Sequence, residues 1–134
     1  MVDSARRLTP LNVDILKAEF PLDFQDKDES TWMRACEEIS SASVTPWILL
    51  SAAVDYETFV RQVTAACIAG SSGIAVGRAV WKEAVTMENK ERNTFLSTIG
   101  KERLSRLSSL CKALGKPFYD FYQSETSFDW YQNY

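Results

Sequence analysis

The chain has 134 residues, 46% hydrophobic and 25% charged, a composition that fits one globular domain and excludes a disordered or collagen-like chain. Its 15 Lys and Arg against 18 Asp and Glu leave a net charge of −3, with no basic stripe to spare for a nucleic-acid backbone. Histidine is absent, which removes Ser-His-Asp and Cys-His nucleophile systems and every His-ligated zinc site, so any catalysis falls to Lys, Asp or Glu, Tyr, Cys or Ser.

In chain order, Ser4 to Leu8 reads as the last turns of a helix, closed at Thr9-Pro10 because the residue before proline is pushed out of helical geometry. Val13 to Phe20 is a short apolar-rich strand stopped by Pro21, a form that suits a sheet covered on both faces. The polar stretch Leu22 to Glu29, with Asp23, Asp26, Lys27 and Asp28, is a loop. From about Ser30, Trp32, Ala35, Cys36 and Ile39 recur at i, i+3, i+4 and i+7 and predict a helix that ends among Ser40, Ser41 and Ser43. After Pro46, Trp47 to Ala52 is a second buried strand.

Asp55 is placed to cap the next helix, with Glu57 in its first turn and Tyr56, Phe59, Val60, Val63 and Cys67 as its apolar face. Gly70 fits the helix end, and Gly73 to Gly77 makes a third, small-residue strand. A short helix over Arg78 to Val85 precedes a longer one from Met87 or Glu88 to Leu114, whose apolar face includes Leu96, Ile99, Leu107, Cys111 and Leu114; Gly115-Lys116-Pro117 stops it. The tail, 118–134, is rich in aromatic residues: Phe118, Tyr119, Phe121, Tyr122, Phe128, Trp130, Tyr131 and Tyr134. It carries no Lys or Arg, which argues for packing across a neighbouring surface rather than for stacking single-stranded nucleic acid. Alternating strands and helices imply a parallel sheet joined by crossovers.

Cys36, Cys67 and Cys111 are far apart, odd in number and set among helix-like apolar residues, the pattern of small buried residues in a reducing compartment rather than of a disulfide framework. The start lacks the apolar core of a signal peptide, and no run approaches the ~20 apolar residues of a membrane span. A cytoplasmic protein without membrane contact is expected.

Three positions could carry chemistry. Lys17 lies inside an apolar strand, where alternation puts Val13, Ile15, Lys17 and Glu19 on one face; a lysine made partly neutral by burial is the nucleophile that forms a Schiff base, and a Lys17–Glu19 salt bridge is the structural alternative. Ser51 ends the second strand on the face of Trp47 and Leu49, beside the small Ala52 and Ala53. Gly77-Arg78 ends the third strand at a helix start, where backbone N–H groups and a guanidinium together suit a phosphate, although a surface arginine after a tight turn reads equally well.

Three stretches taken together resemble the C-terminal portion of the tagatose 1,6-bisphosphate aldolase family, with sulfofructose-phosphate aldolases similar too. They are Val13 to Asp23, Pro46 to Val54, and Ala69 to Gly73 continuing through Val76-Gly77-Arg78 to Val85, and the likeness runs over roughly residues 4 to 120 in register. The resemblance implies a class I aldolase fold, a TIM (β/α)8 barrel, needing neither metal nor cofactor and acting on ketose phosphates. It implies that Lys17 is the Schiff-base lysine of the sixth strand, and that Ser51, Ala52, Gly77 and Arg78 bind phosphate at the ends of strands seven and eight.

Two features depart from the family pattern. Ser51-Ala52-Ala53 replaces its usual Ser-Ala-Gly, and the strands that would bring its general acid/base glutamate are missing, with Glu19 on the right face as an auxiliary candidate. A TIM barrel takes ~250 residues. The expectation is therefore a single partial barrel segment over 1–134, the last three βα units, with 118–134 as an aromatic tail. Its open sheet calls for a homo-oligomer or for a chain supplying the missing strands. The expected function is reversible aldol cleavage of a ketose phosphate such as tagatose 1,6-bisphosphate to dihydroxyacetone phosphate and an aldehyde; the alternative is a non-catalytic phosphate-binding or assembly module.

Overall fold

The computed structural model describes residues 1–23, 28–122 and 128–133. The central part of the expected 22–29 loop, with Asp26 and Lys27, and the terminal Tyr134 lie outside the described residues. The chain opens with α1 (Val2–Leu8) and then alternates β1 (Leu16–Ala18), α2 (Glu29–Ala42), β2 (Trp47–Leu50), α3 (Tyr56–Ile68) and β3 (Gly73–Ala75). After β3 come α4 (Arg78–Trp81), which runs on as a 3-10 turn over Lys82–Val85, then α5 (Asn89–Phe95) and α6 (Lys101–Leu114). A π turn over Leu96–Gly100 joins the last two.

The three strands form one parallel sheet in the order β1-β2-β3, with Lys17 opposite Ile48 and Leu49 opposite Ile74. Each strand is shorter than the sequence suggests, and at β1 the reason is visible. Leu16 N–H donates to the Pro46 carbonyl at 3.0 Å, so one step back the Asp14 carbonyl would need a donor from Pro46, which has none. That carbonyl accepts the Tyr122 hydroxyl instead, which ties the aromatic tail to the entrance of β1.

Helix starts follow their caps. Asp28 accepts Ser30 N–H at the start of α2, and Asp55 accepts Thr58 N–H at the start of α3, each satisfying a donor that the helix leaves free. The core lies between the helices and one face of the sheet: Trp47 and Leu49 from β2 meet Cys36 and Ile39 of α2, Phe59 and Val63 of α3, and Leu107 of α6. Gly70 ends α3 at φ +101, and a Cβ there would stand 3.1 Å from Ser40 Oγ, so conformation and space both require glycine.

The expected apolar face of the long helix needs correction. Leu107 is buried and Cys111 half-buried, but Leu96, Ile99 and Leu114 are exposed, while Phe95 and Gly100 take inward positions. The π turn inserts a residue into the helical repeat and rotates the inward stripe onto Gly100, Arg103 and Leu107. All three cysteines are free thiols. Burial pushes the Cys36 thiol up to about 12, whereas the half-buried Cys111 is held below its ordinary value by a hydrogen bond from Cys67. Of the tail, Phe118, Tyr119, Phe128, Trp130 and Tyr131 are exposed, and no helix among the described residues is long and apolar enough to cross a membrane.

Candidate active site

Lys17 is the middle residue of β1. Its neighbours Leu16 and Ala18 are buried against the helices while Lys17 is exposed, so its side chain projects from the opposite face of the sheet. In-register residues of a parallel ladder share a face, which places Ile48 and Leu50 of β2 and Ala75 of β3 beside it, all three half-buried. Glu19 follows the strand and is exposed. Among the described residues the ion pairs are Arg7–Asp3, Arg61–Glu29 and Arg103–Glu83, and the Lys17–Glu19 bridge is not formed.

The register also aligns the strand ends. Leu50 pairs with Ala75, so Ser51 and Val76 leave their strands side by side, followed by Ala52 and Gly77. Neighbouring strands lie about 4.8 Å apart, and three residues of rise put Ser51 roughly 10 Å further along the strand direction than the level of Lys17.

Ser51 is buried on the side of Trp47 and Leu49, as alternation predicts, and its carbonyl accepts Val54 N–H at 3.2 Å. The two residues spanned by that bond, Ala52 and Ala53, have φ of +43° and +64°. Two consecutive left-handed residues make a turn of the kind normally built from Gly, Asn or Asp, so alanine is strained at both positions. The backbone thus keeps the conformation that a glycine after strand two would favour, although the sequence supplies Ala53.

Gly77 caps α4 and its carbonyl accepts Val80 N–H at 2.8 Å; Arg78 follows, exposed, as the first residue of the helix. A Cβ at Gly77 would meet the Trp81 ring at an ordinary 3.7 Å, so it is not crowding that calls for glycine there. The sheet therefore carries Lys17 on its uncovered face, and the Ser51 turn and Gly77-Arg78 at the carboxyl ends of two adjacent strands. Two concave surfaces among the described residues lie elsewhere, one along Met87, Glu91, Phe95 and Ile99 and another along Trp81, Val85 and Leu96.

One side chain near the site was not legible as such. Arg103 of α6 donates through Nη1 to the Val80 carbonyl at 3.0 Å and to the Glu83 carboxylate at 2.9 Å and 3.0 Å, and lies over the rings of Tyr56 and Phe95 at 4.8 Å and 5.6 Å. Burial pushes the Glu83 carboxyl up, but its own N–H and the Arg103 guanidinium outweigh this and hold it below its ordinary value. Its only signal in the sequence is the spacing Gly100, Arg103, Leu107, which reads as polar until the π turn fixes the stripe.

A family model described as DeoC/LacD family aldolase matches residues 1–83. Among curated proteins, the chain is 31% identical over 130 aligned positions to the tagatose 1,6-diphosphate aldolase of Listeria monocytogenes serotype 4a (strain HCC23) and to its namesake in Listeria innocua serovar 6a, each match covering 84% of this chain and 38% of the relative. Tagatose 1,6-diphosphate aldolase 1 of Streptococcus pyogenes serotype M1 is 28% identical over 122 positions, covering 79% of this chain and 38% of the relative. The chain thus spans less than two fifths of the length of the curated relatives it matches.

Proposed function

The chain belongs to the DeoC/LacD family of aldolases, and on that premise we propose that it is the catalytic segment of a class I aldolase acting on a ketose phosphate such as tagatose 1,6-bisphosphate. The observation that carries this reading is the place of Lys17: the centre of a parallel strand, on the face away from the helices, below two adjacent strand ends where the backbone of the turn after Ser51, with Ala52, and Gly77-Arg78 lie, the Ser51 side chain itself being buried on the helix side. In (β/α)8 enzymes the reacting groups sit at the carboxyl ends of the strands, and phosphate binds at the ends of the last two, beside a short extra helix. The succession of β2, β3 and the short α4 supports assigning them those places.

In this mechanism the Lys17 amine adds to the substrate ketone and water leaves, forming an iminium. Cleavage of the adjacent carbon–carbon bond sends its electron pair into the iminium to give an enamine, while a base takes the hydroxyl proton of the departing carbon and the aldehyde is released. Protonation and hydrolysis of the enamine free dihydroxyacetone phosphate and restore the amine. Glu19, two residues from Lys17, is the candidate proton carrier, and Arg78 with the neighbouring N–H groups holds the phosphate.

The three strands would be strands six to eight of a (β/α)8 barrel, with residues 1–134 as one segment and the uncovered face as the barrel interior. The missing strands would come from further polypeptide or a second chain; three does not divide eight, so identical copies rebuild no ordinary barrel. Three free thiols fit a reducing cytoplasm. The test is cleavage of tagatose 1,6-bisphosphate by the chain together with a polypeptide supplying five upstream βα units: activity that is abolished in Lys17→Met supports the reading, and activity retained in Lys17→Met overturns it.

A further inference from the structure

We propose that Arg103 is the positioning residue of this site, a guanidinium that locks the segment after β2 to the helix after β3 and so fixes Arg78 relative to the Ser51–Val54 turn. The inference rests on the phosphate site proposed above. Its observation is that one side chain from α6 touches both strand-end connections. On one side, Tyr56 begins α3 directly after that turn and Asp55; its ring lies under the guanidinium, and its hydroxyl donates back to the Arg103 carbonyl at 3.3 Å. On the other, Arg103 donates to the carbonyl of Val80, two residues beyond Arg78, and pairs with Glu83 in the turn that continues α4.

Helix α4 needs such an anchor. It has four residues and no side-chain cap, and a helix that short does not persist on its own, so tertiary contacts must set its direction. Arg92 holds the trailing end, donating to the carbonyls of Ala84 at 3.1 Å and Met87 at 2.7 Å. Arg103 holds the leading end, nearest Arg78. Its side chain is only 20% exposed, and a cation so enclosed is tolerated because it has a carboxylate, a carbonyl and two aromatic faces. Both polar contacts leave from Nη1, and what lysine lacks is the planar, delocalised group that stacks on the Tyr56 and Phe95 rings while donating, so it is not an equivalent replacement.

The experiment measures inorganic phosphate affinity, melting temperature and amide hydrogen exchange over Ala79 to Glu83, with the polypeptide supplying the five upstream βα units present throughout, in the wild-type chain, Arg103→Met, Arg103→Lys, the milder Glu83→Gln, and Arg92→Met as the scaffold comparison. We expect Arg103→Met to bind phosphate about tenfold more weakly, within the range found for residues that act on a site without touching its ligand. Its Ala79 to Glu83 amides exchange faster, Arg103→Lys does not restore affinity, and Glu83→Gln shows an intermediate loss. Arg92→Met lowers the melting temperature while its affinity stays within about twofold of wild type. Unchanged affinity in both Arg103→Met and Glu83→Gln, or an equal loss in Arg92→Met, overturns the positioning role and leaves the phosphate site standing. No phosphate binding by the wild-type chain overturns the phosphate site, and this inference with it.

Discussion

The Trp47 indole N–H donates to the Ser40 hydroxyl at 2.8 Å, and that hydroxyl donates in turn to the Ala69 carbonyl at 2.5 Å. One relay thus fastens β2, α2 and the end of α3 beneath the sheet. Trp47→Phe loses the donor and also leaves part of the indole's buried space empty, for an expected cost of about 2–3 kcal/mol. Ser40→Ala leaves a buried indole N–H without its acceptor and should cost about 2 kcal/mol. Urea unfolding of both variants checks these costs; a Ser40→Ala as stable as wild type contradicts the relay.

Ala53 is expected to be a weak point. Holding an L-residue in the left-handed region costs roughly 1–2 kcal/mol, part of which glycine gives back through its greater chain entropy when unfolded. Ala53→Gly should therefore raise stability by about 0.5–1 kcal/mol, whereas Ala53→Val should lower it. Thermal melts decide: a glycine variant less stable than wild type would mean that φ of +64° is not what the folded turn adopts.

Asp55 gives the fold an acid dependence. Its carboxylate accepts the Thr58 N–H at 2.9 Å and the Thr58 hydroxyl at 2.7 Å, and these bonds hold it below the ordinary 3.8. Since the folded value lies below the unfolded one, the stabilisation is complete above the unfolded value and disappears as pH falls through the folded value. Asp55→Asn, which still caps but does not titrate there, should lose less stability than wild type between about pH 5 and pH 2. Asp28 and Glu83, also held low, remain in both proteins, so the difference between the two pH profiles isolates Asp55. Parallel profiles would contradict the assignment.

Periodicity makes much of this architecture legible in the sequence. The Asp55 cap, the buried stripe Tyr56, Phe59, Val60, Val63 and Cys67, and Gly70 at the end of α3 all stand where composition and spacing put them. Two things were hidden. Strand length depends on what the partner can donate, and Pro46 shortens β1 from across the sheet, out of reach of any reading of residues 13–20 alone. The π turn is a hydrogen-bonding shift within a good helical sequence, so Leu96 and Ile99 look like core and are not, while Phe95 and Arg103 do the packing. Of the candidate site, the placement of Lys17 within β1, and of Ser51 and Gly77-Arg78 just past the carboxyl ends of β2 and β3, is legible because each βα unit carries one of them. The left-handed pair Ala52-Ala53 is not, since alanine gives no sign of a positive φ.

On the proposed function, Lys17 is the amine that condenses with a ketose phosphate. The most direct test of that role is borohydride reduction in the presence of dihydroxyacetone phosphate, with the upstream barrel units supplied, followed by peptide mass analysis. We expect a covalent adduct on Lys17, with the mass of dihydroxyacetone phosphate less water plus two hydrogens, absent from Lys17→Arg and diminished in Arg78→Ala. An adduct on another lysine, or none on Lys17 in the completed protein, would contradict that role.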